Sequence, residues 1–490
     1  MLDVSGAPRR FDCYGWFSNA SNGKLKQSWS AQMFTSVEEQ GKPRTPAIDL
    51  LSGVGRGSAA KLFVAFLVAM AVRLIVVGLV YRRFLDPSRG HSIFGWEVGQ
   101  VARSIVTGNG FANPYWIETG PTTVLTPVYP YIFTAVFAVF GVFTKASALV
   151  ILGLNSLFSA LTSFPIYAIA KRDFSLGTAN LALWAWVFFP YSIYFSADSM
   201  WYNSLVGLLL TLIFLAAQRL EDSDSVPPWF GLGVLVGFAA LTNPVVLAIV
   251  PFLGAWLCYR LAAGGHNWAK AAVAGALGLA IALAPWLIRN QRTFRAPVFL
   301  KDNFWMEICV GNLNPKPDFW NADVHPSEVP AEMAQFQQLG ELGYMQAKKR
   351  EALNFIQSQP RTFVSRSLRR TLYVWTGIWS FYRPYLRNIP LYLANILILT
   401  PLTMISIWGL LTAFKSSTQR AIPYAIVLST FPIVYYITHA DPRYRDPIDP
   451  LLVILASSAI VSWLPWKSEN LRVGEVPAKS SVPLAATMQR

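Results

Sequence analysis

The chain has 490 residues, of which 53% are hydrophobic and only 14% charged, whereas a soluble domain carries about 25% charge. One water-soluble core does not accommodate that much apolar material, so the composition predicts a multi-span, all-α membrane protein. The net charge of +15 does not point to nucleic acid, because Lys and Arg stand mostly between apolar segments, as the positive-inside rule describes.

Residues 1–58 are polar, rich in Ser and Gly, and lack a long apolar run. They are expected to be a flexible cytosolic tail rather than a cleavable signal. The first span falls at roughly 60–81 and contains Arg73. An arginine at that depth serves either function or a polar partner inside the bundle.

A polar stretch, 82–125, follows. Within it "SIFGWEVGQVARSIVTGNGFANP", 92–114, reads as a short helix ending at Gly108-Asn109-Gly110. Phe94, Val98, Val101 and Ile105 fall on one face; Glu97, Gln100, Ser104 and Thr107 fall on a neighbouring stripe. Such a helix is expected to lie on the membrane with Glu97 near the lipid head groups. A partly desolvated carboxylate there has a raised pKa and suits a general base; a surface acid or an arginine partner is the plainer alternative.

"TGPTTVLTPVYPYIF", 119–133, is stiffened by prolines, and Tyr129 and Tyr131 suit the interface. They shape a lipid pocket or simply form an aromatic belt. The apolar run 127–143 is short and starts with prolines, so a re-entrant or interfacial helix is expected. Later apolar segments lie near 147–170, 178–196, 203–218, 229–243, 244–260, 269–288, 390–413, 421–438 and 450–465. This makes about ten spans. It places Lys171-Arg172, Arg219, Arg260 to Lys270, Lys415 to Arg420 and Lys467 onward in the cytosol, together with both termini. Asn243-Pro244 is the tight turn between two of the spans.

The organisation expected is therefore a tail 1–58, a transmembrane core 59–288 with a first external loop 82–145, an external loop 289–389, C-terminal spans 390–466 and a cytosolic tail 467–490. Glu97, Asp198 in "SADSMW", and "HADPRYRDPIDP" at 439–450 all face the outer side in this arrangement. In the last, Arg443 and Arg445 alternate around Tyr444, and Pro442, Pro447 and Pro450 are expected to hold the backbone extended. Two guanidiniums at the lipid boundary suit a phosphate, or pair internally with the aspartates. Arg289 and Arg292 in "APWLIRNQRTF" lie outside against the positive-inside trend, which hints at an anionic ligand. Cys13, Cys258 and Cys309 form no CxxC, and His91, His266, His325 and His439 are scattered. No disulfide framework, metal site or cofactor follows from them.

The ordered set resembles the GT-C superfamily of membrane glycosyltransferases over roughly 60–465. The likeness is to the branch with dolichyl-phosphate-mannose protein mannosyltransferases and the aminoarabinose transferases of lipid A. It rests on an acid on a juxtamembrane helix, a Pro-rich interfacial helix ending in "VFG", "SADSMW", "GVLVGFAALTNP", "PWLIRN" and "RYRDPIDP" before a late span. The resemblance implies inverting transfer of a sugar from a polyprenyl phosphate to a glycan, lipid or protein acceptor on the periplasmic face of a bacterial inner membrane. Carried over, Glu97 is the general base. Arg443, Arg445 and, third, Arg289 bind the donor phosphate, and Tyr129 and Asp198 belong to the donor pocket. Two departures stand out. The family often has Asp, or Asp-Glu, where this chain has Trp96-Glu97. Many members have His- or Lys-Pro-Pro where it reads Thr126-Pro127-Val128-Tyr129-Pro130, which removes a metal ligand or cation and leaves metal dependence open. The competing classes are a transporter or flippase of lipid-linked sugars, and a non-catalytic assembly or O-antigen-ligase-like protein.

Overall fold

The computed structural model describes residues 56–80, 94–197, 200–313, 324–379 and 391–464. Asp198, His91 and nearly all of both tails lie outside the described residues. Among the described residues the chain is helical, with one isolated β-bridge between Ala112 and Pro121.

A long helix α1 (Arg56–Val80) leads to α2 (Glu97–Val106) and α3 (Val128–Phe140). Then come α4 (Lys145–Leu161), α5 (Ser163–Asp173), α6 (Leu176–Val187), α7 (Pro190–Ala197) and α8 (Asn203–Arg219). They are followed by α9 (Val226–Thr242), α10 (Val250–Ala263) and α11 (Trp268–Phe294). The segment expected to be external supplies α12 (Phe304–Asn312), α13 (Pro330–Ser358) and α14 (Pro360–Thr376). The chain ends with α15 (Leu391–Ser416), α16 (Thr418–Thr430), α17 (Ile433–Ile437) and α18 (Asp449–Trp463). Seven helical segments among the described residues are long and apolar enough to cross a membrane, and four shorter apolar helices accompany them. The protein is an all-α polytopic membrane protein. Helix α3, with 13 residues, is about 20 Å long, well short of a hydrocarbon core of about 30 Å.

Local chemistry sets the corners. Gly141, at φ 88°, ends α3, and a reciprocal cap between Thr144 and Ser147 opens α4. Asn243 ends α9 in an extended conformation and accepts a hydrogen bond from the Val245 amide, the turn expected there. Helices α9 and α11 touch through glycines: a Cβ on Gly233 would stand 2.0 Å from the Gly275 carbonyl oxygen, and one on Gly278 2.2 Å from that of Phe230. Arg73, fully buried, donates to Ser159, Ser192 and the carbonyls of Ala69, Trp186 and Val187. It is the internal polar tie of its two sequence readings.

Two local expectations change. The polar stripe of α2 is largely covered: Gln100 and Ser104 are buried along with Val98 and Val101 while Thr107 at its end stays exposed, and Phe94 just before the helix meets Phe137 of α3 edge-on at 5.6 Å. Nor is 439–450 extended. Pro442–Tyr444 and Asp446–Ile448 are 3₁₀ turns. The Asp441 carboxylate accepts from the Arg443 amide at 2.9 Å, and proline's fixed φ suits the start of each turn, at the first position in one (Pro442) and the second in the other (Pro447).

The short polar loops gather at one end of the bundle. Gln218 donates to Asp173, Arg420 donates to the Asp173 carbonyl, and Arg260 pairs with Glu221 and Asp222. Helix α8 runs from Arg219 at that end to Asn203 at the other, where the cleft lies.

Candidate active site

The entry to α2 is tightly determined. Gly95 and Trp96 both have left-handed backbone, φ 67° and φ 54°. A Cβ on Gly95 would lie 2.6 Å from the Met200 carbonyl oxygen, so only glycine fits there. Trp96 is a bulky residue in a costly conformation. The double reversal makes Glu97 the first residue of α2 and turns it into a cleft of about 150 Å³. The walls include Trp96, Trp201, Tyr202, Lys301, Glu307, His325, His439, Arg443 and Tyr444.

The Glu97 side chain is 12% exposed. Burial, the largest influence, pushes its pKa up to about 7, with Glu307 adding to the rise. Its own backbone N–H, Lys301 and Arg443 oppose it. A carboxyl that ionises near neutrality is matched to proton abstraction from a hydroxyl.

Two acids in the cleft each face an imidazole. Glu97 Oε1 lies 3.5 Å from His325 Nε2. His325 Nδ1 accepts from the Ser327 amide at 3.2 Å and stands 2.6 Å from Ser327 Oγ. An Nδ1 that accepts leaves the imidazole proton on Nε2, toward Glu97. Glu307 accepts from Asn303 Nδ2 at 2.7 Å, and its other oxygen is 3.6 Å from His439 Nδ1. Burial, then Arg443, Arg370 and His325, holds His439 well below its usual pKa, so it is neutral. His439 Nε2 meets Tyr444 OH at 2.5 Å.

The guanidinium of Arg443 lies 4.4 Å over the Trp201 ring and donates to Tyr444 OH at 3.4 Å. Asp441 is 3.6 Å from its Nε, and Asn203 Nδ2 donates to its carbonyl. The cleft therefore carries a cation on a planar aromatic platform, suited to an oxyanion.

The two sides of the cleft are fastened by Arg370 of α14. Fully buried, it donates to the Gly311 carbonyl at 2.6 Å, Asn312 Oδ1 at 2.9 Å and the Ile437 carbonyl at 3.2 Å. Gly311 is pressed against the next turn of chain: a Cβ there would stand 1.8 Å from the Thr438 carbonyl oxygen. This contact brings Glu307 of α12 to His439.

Of the residues singled out from sequence, Glu97 and Arg443 meet in the cleft. Arg445 does not: it is fully buried, its Nε 2.7 Å from Asp449 Oδ1 and its Nη1 bonded to Thr403 Oγ1 and the carbonyls of Trp375 and Leu399. Arg289 does not either: it donates to the carbonyls of Phe111 and Thr122 and sits among the rings of Phe111, Trp286 and Phe294. Tyr129 is one layer behind the wall. Its hydroxyl is bonded to Asn155, which donates to the Trp201 carbonyl. His325, Glu307, Lys301, Asn303 and Trp201 were not among the sequence candidates for the site. Asn303 and Glu307 stand one helical turn apart, just after Lys301, but no interval in the sequence connects that stretch to His325 or Trp201. Among the described residues no group of three or more His, Cys, Asp or Glu side chains is arranged to hold a metal ion.

The fold and site thus define a polytopic membrane protein with an acid–imidazole cleft beside a stacked guanidinium at one end of its bundle. By sequence the chain matches no family model and no curated protein. By structure it is similar to ArnT from Cupriavidus metallidurans in the apo state, at TM-score 0.48 and 15% identity, over 84% of this chain and 61% of ArnT. It is also similar to the archaeal oligosaccharyltransferase AglB from Archaeoglobus fulgidus in complex with an inhibitory peptide and a dolichol-phosphate, at TM-score 0.46 and 14% identity, over 80% of this chain and 50% of AglB. A second ArnT structure, bound to undecaprenyl phosphate, gives TM-score 0.36 and 13% identity over 83% and 78%. The chain spans about 61% of the first and 50% of the second.

Proposed function

We propose that this protein is an inverting glycosyltransferase that moves a sugar from a polyprenyl-phosphate donor to an acceptor hydroxyl at the membrane surface. The observation that carries the reading is the juxtaposition, in one cleft, of a buried carboxyl with a pKa near 7 and a guanidinium stacked on Trp201. Glu97 takes the proton of the acceptor hydroxyl as its oxygen attacks the anomeric carbon. The bond from that carbon to the phosphate oxygen breaks, and polyprenyl phosphate departs with the electron pair. Negative charge grows on that phosphate, where Arg443 and Lys301 stabilise it. The acceptor is a glycan, lipid or protein. The cleft end faces the periplasm of a bacterial inner membrane, and the basic loops and both termini face the cytosol.

The test is transfer from a panel of radiolabelled polyprenyl-phosphate sugars to membrane extract, with wild type and Glu97→Gln side by side. Transfer by the wild type that falls at least about a hundredfold in the variant supports the reading. Wild-type protein that consumes no donor overturns it, and equal transfer by both removes Glu97 from the chemistry.

A further inference from the structure

Resting on the reading of Glu97 as the base, the geometry points to His325 as its positioning residue: an imidazole whose Nε2–H, fixed by the fold in that tautomer, holds the Glu97 carboxylate aimed at the acceptor.

Four observations converge. His325 Nε2 stands 3.5 Å from Glu97 Oε1, and such contacts tighten when substrate completes a site. The tautomer is imposed by Ser327, whose amide donates to Nδ1. The ring is 3% exposed and meets Tyr115 edge-on at 5.9 Å. Tyr115 belongs to a separate small core with Val124, Met306, Phe336 and Tyr344. The His325 carbonyl, in turn, accepts from the amides of Glu328 and Val329 just before α13. The imidazole is thus held by its ring, its Nδ1 and its carbonyl, while its Nε2 faces the acid. An ordinary core histidine has no need of a carboxylate at that nitrogen, in a cleft.

Glu97 is also faced by Glu307 from α12, Lys301 from the preceding loop, Arg443 from the 3₁₀ turn, and Tyr115. None of these changes in a His325 variant, so a shift seen there belongs to the imidazole. A donor to the carboxylate favours its ionised form. Removing it raises the pH at which Glu97 ionises.

The test compares His325→Gln, whose terminal amide restores a donor near Nε2, with His325→Asn and His325→Ala, which do not. Expected for Asn and Ala is a loss of about ten- to a hundredfold in kcat with KM little changed, and an acidic limb of the rate profile moved to higher pH. The Gln variant recovers most of the rate and the original limb. The second readout needs no turnover: the pH titration of the Glu97 carboxyl stretch by difference infrared spectroscopy, assigned by its loss in Glu97→Gln. Its midpoint moves up in Asn and Ala and stays in Gln. If no donor is consumed by the wild type, the glycosyltransferase reading fails while the infrared titration still decides the contact. Rate profile and carboxyl titration both unmoved in Asn and Ala overturn the inference, as does a Gln variant no better than Ala in a protein that melts like the wild type.

Discussion

The guanidinium carbon of Arg443 lies over the Trp201 ring, 4.4 Å from its centroid. An ammonium has the charge but not the plane of a guanidinium, so Lys does not replace it. Arg443→Lys is expected to lower kcat about tenfold and Arg443→Ala about a hundredfold or more. Steady-state transfer rates measured with both variants decide this, and equal rates for Lys and Arg would exclude the stacked geometry.

Glu97 stays protonated up to about pH 7 in the fold, against an ordinary value of 4.5. A base works only when ionised, so transfer is expected to fall as pH drops through about 7. Stability runs the other way. The folded protein favours the neutral carboxyl, so the Glu97 contribution is complete below pH 4.5 and is lost as pH rises to about 7. Glu97→Gln removes this cost. The variant should melt higher than wild type at pH 8, by an amount on the order of 3 kcal/mol, and near it at pH 4.5 to 5, by thermal unfolding in detergent.

Arg445 and Asp449 form an ion pair at 2.7 Å with side chains 0% and 1% exposed. Arg445→Leu leaves a carboxylate alone in the bundle, a loss of about 3–5 kcal/mol. Arg445→Leu combined with Asp449→Leu is expected to recover most of it. Melting temperatures of the two variants make the comparison. Normal folding with selective loss of phosphate binding in the single variant would return Arg445 to the site.

At Gly311 the fold leaves no space for a side chain, since a Cβ there would stand 1.8 Å from the Thr438 carbonyl oxygen. Gly311→Ala separates α12 from the chain before His439, and with it Glu307 from the imidazole. A drop of about tenfold or more in transfer is expected, with little effect from Gly153→Ala, where a Cβ meets nothing.

The legible parts of this chain were those decided locally. Asn243-Pro244 is turn chemistry, and the helix opened by Glu97 is a period of 3.6. The separation of Arg443 from Arg445 was hidden in backbone type. In extended chain, residues two apart share a side. In the 3₁₀ turn at Pro442–Tyr444 three residues make a turn, so the two arginines diverge. One reaches the cleft and the other enters the bundle. His325 was hidden for another reason: its place beside Glu97 is set by the small core around Tyr115 and Phe336, and no interval in the sequence carries that packing. The burial of Gln100 and Ser104 likewise comes from neighbours on both sides of α2 that a helical wheel does not contain.

The grip of Arg370 ties α14 and the end of α12 to the chain at Ile437. Lifting α14 away exposes the carbonyls of Gly311 and Ile437 and the side chain of Asn312 without this donor. Helices α12 and α14 therefore cannot fray ahead of the bundle at low cost, and calorimetry of the whole protein should record one cooperative transition across both. Cutting out 289–389 discards the Ile437 carbonyl that accepts from both Arg370 and Asn312, so the excised piece is expected to melt below the whole protein.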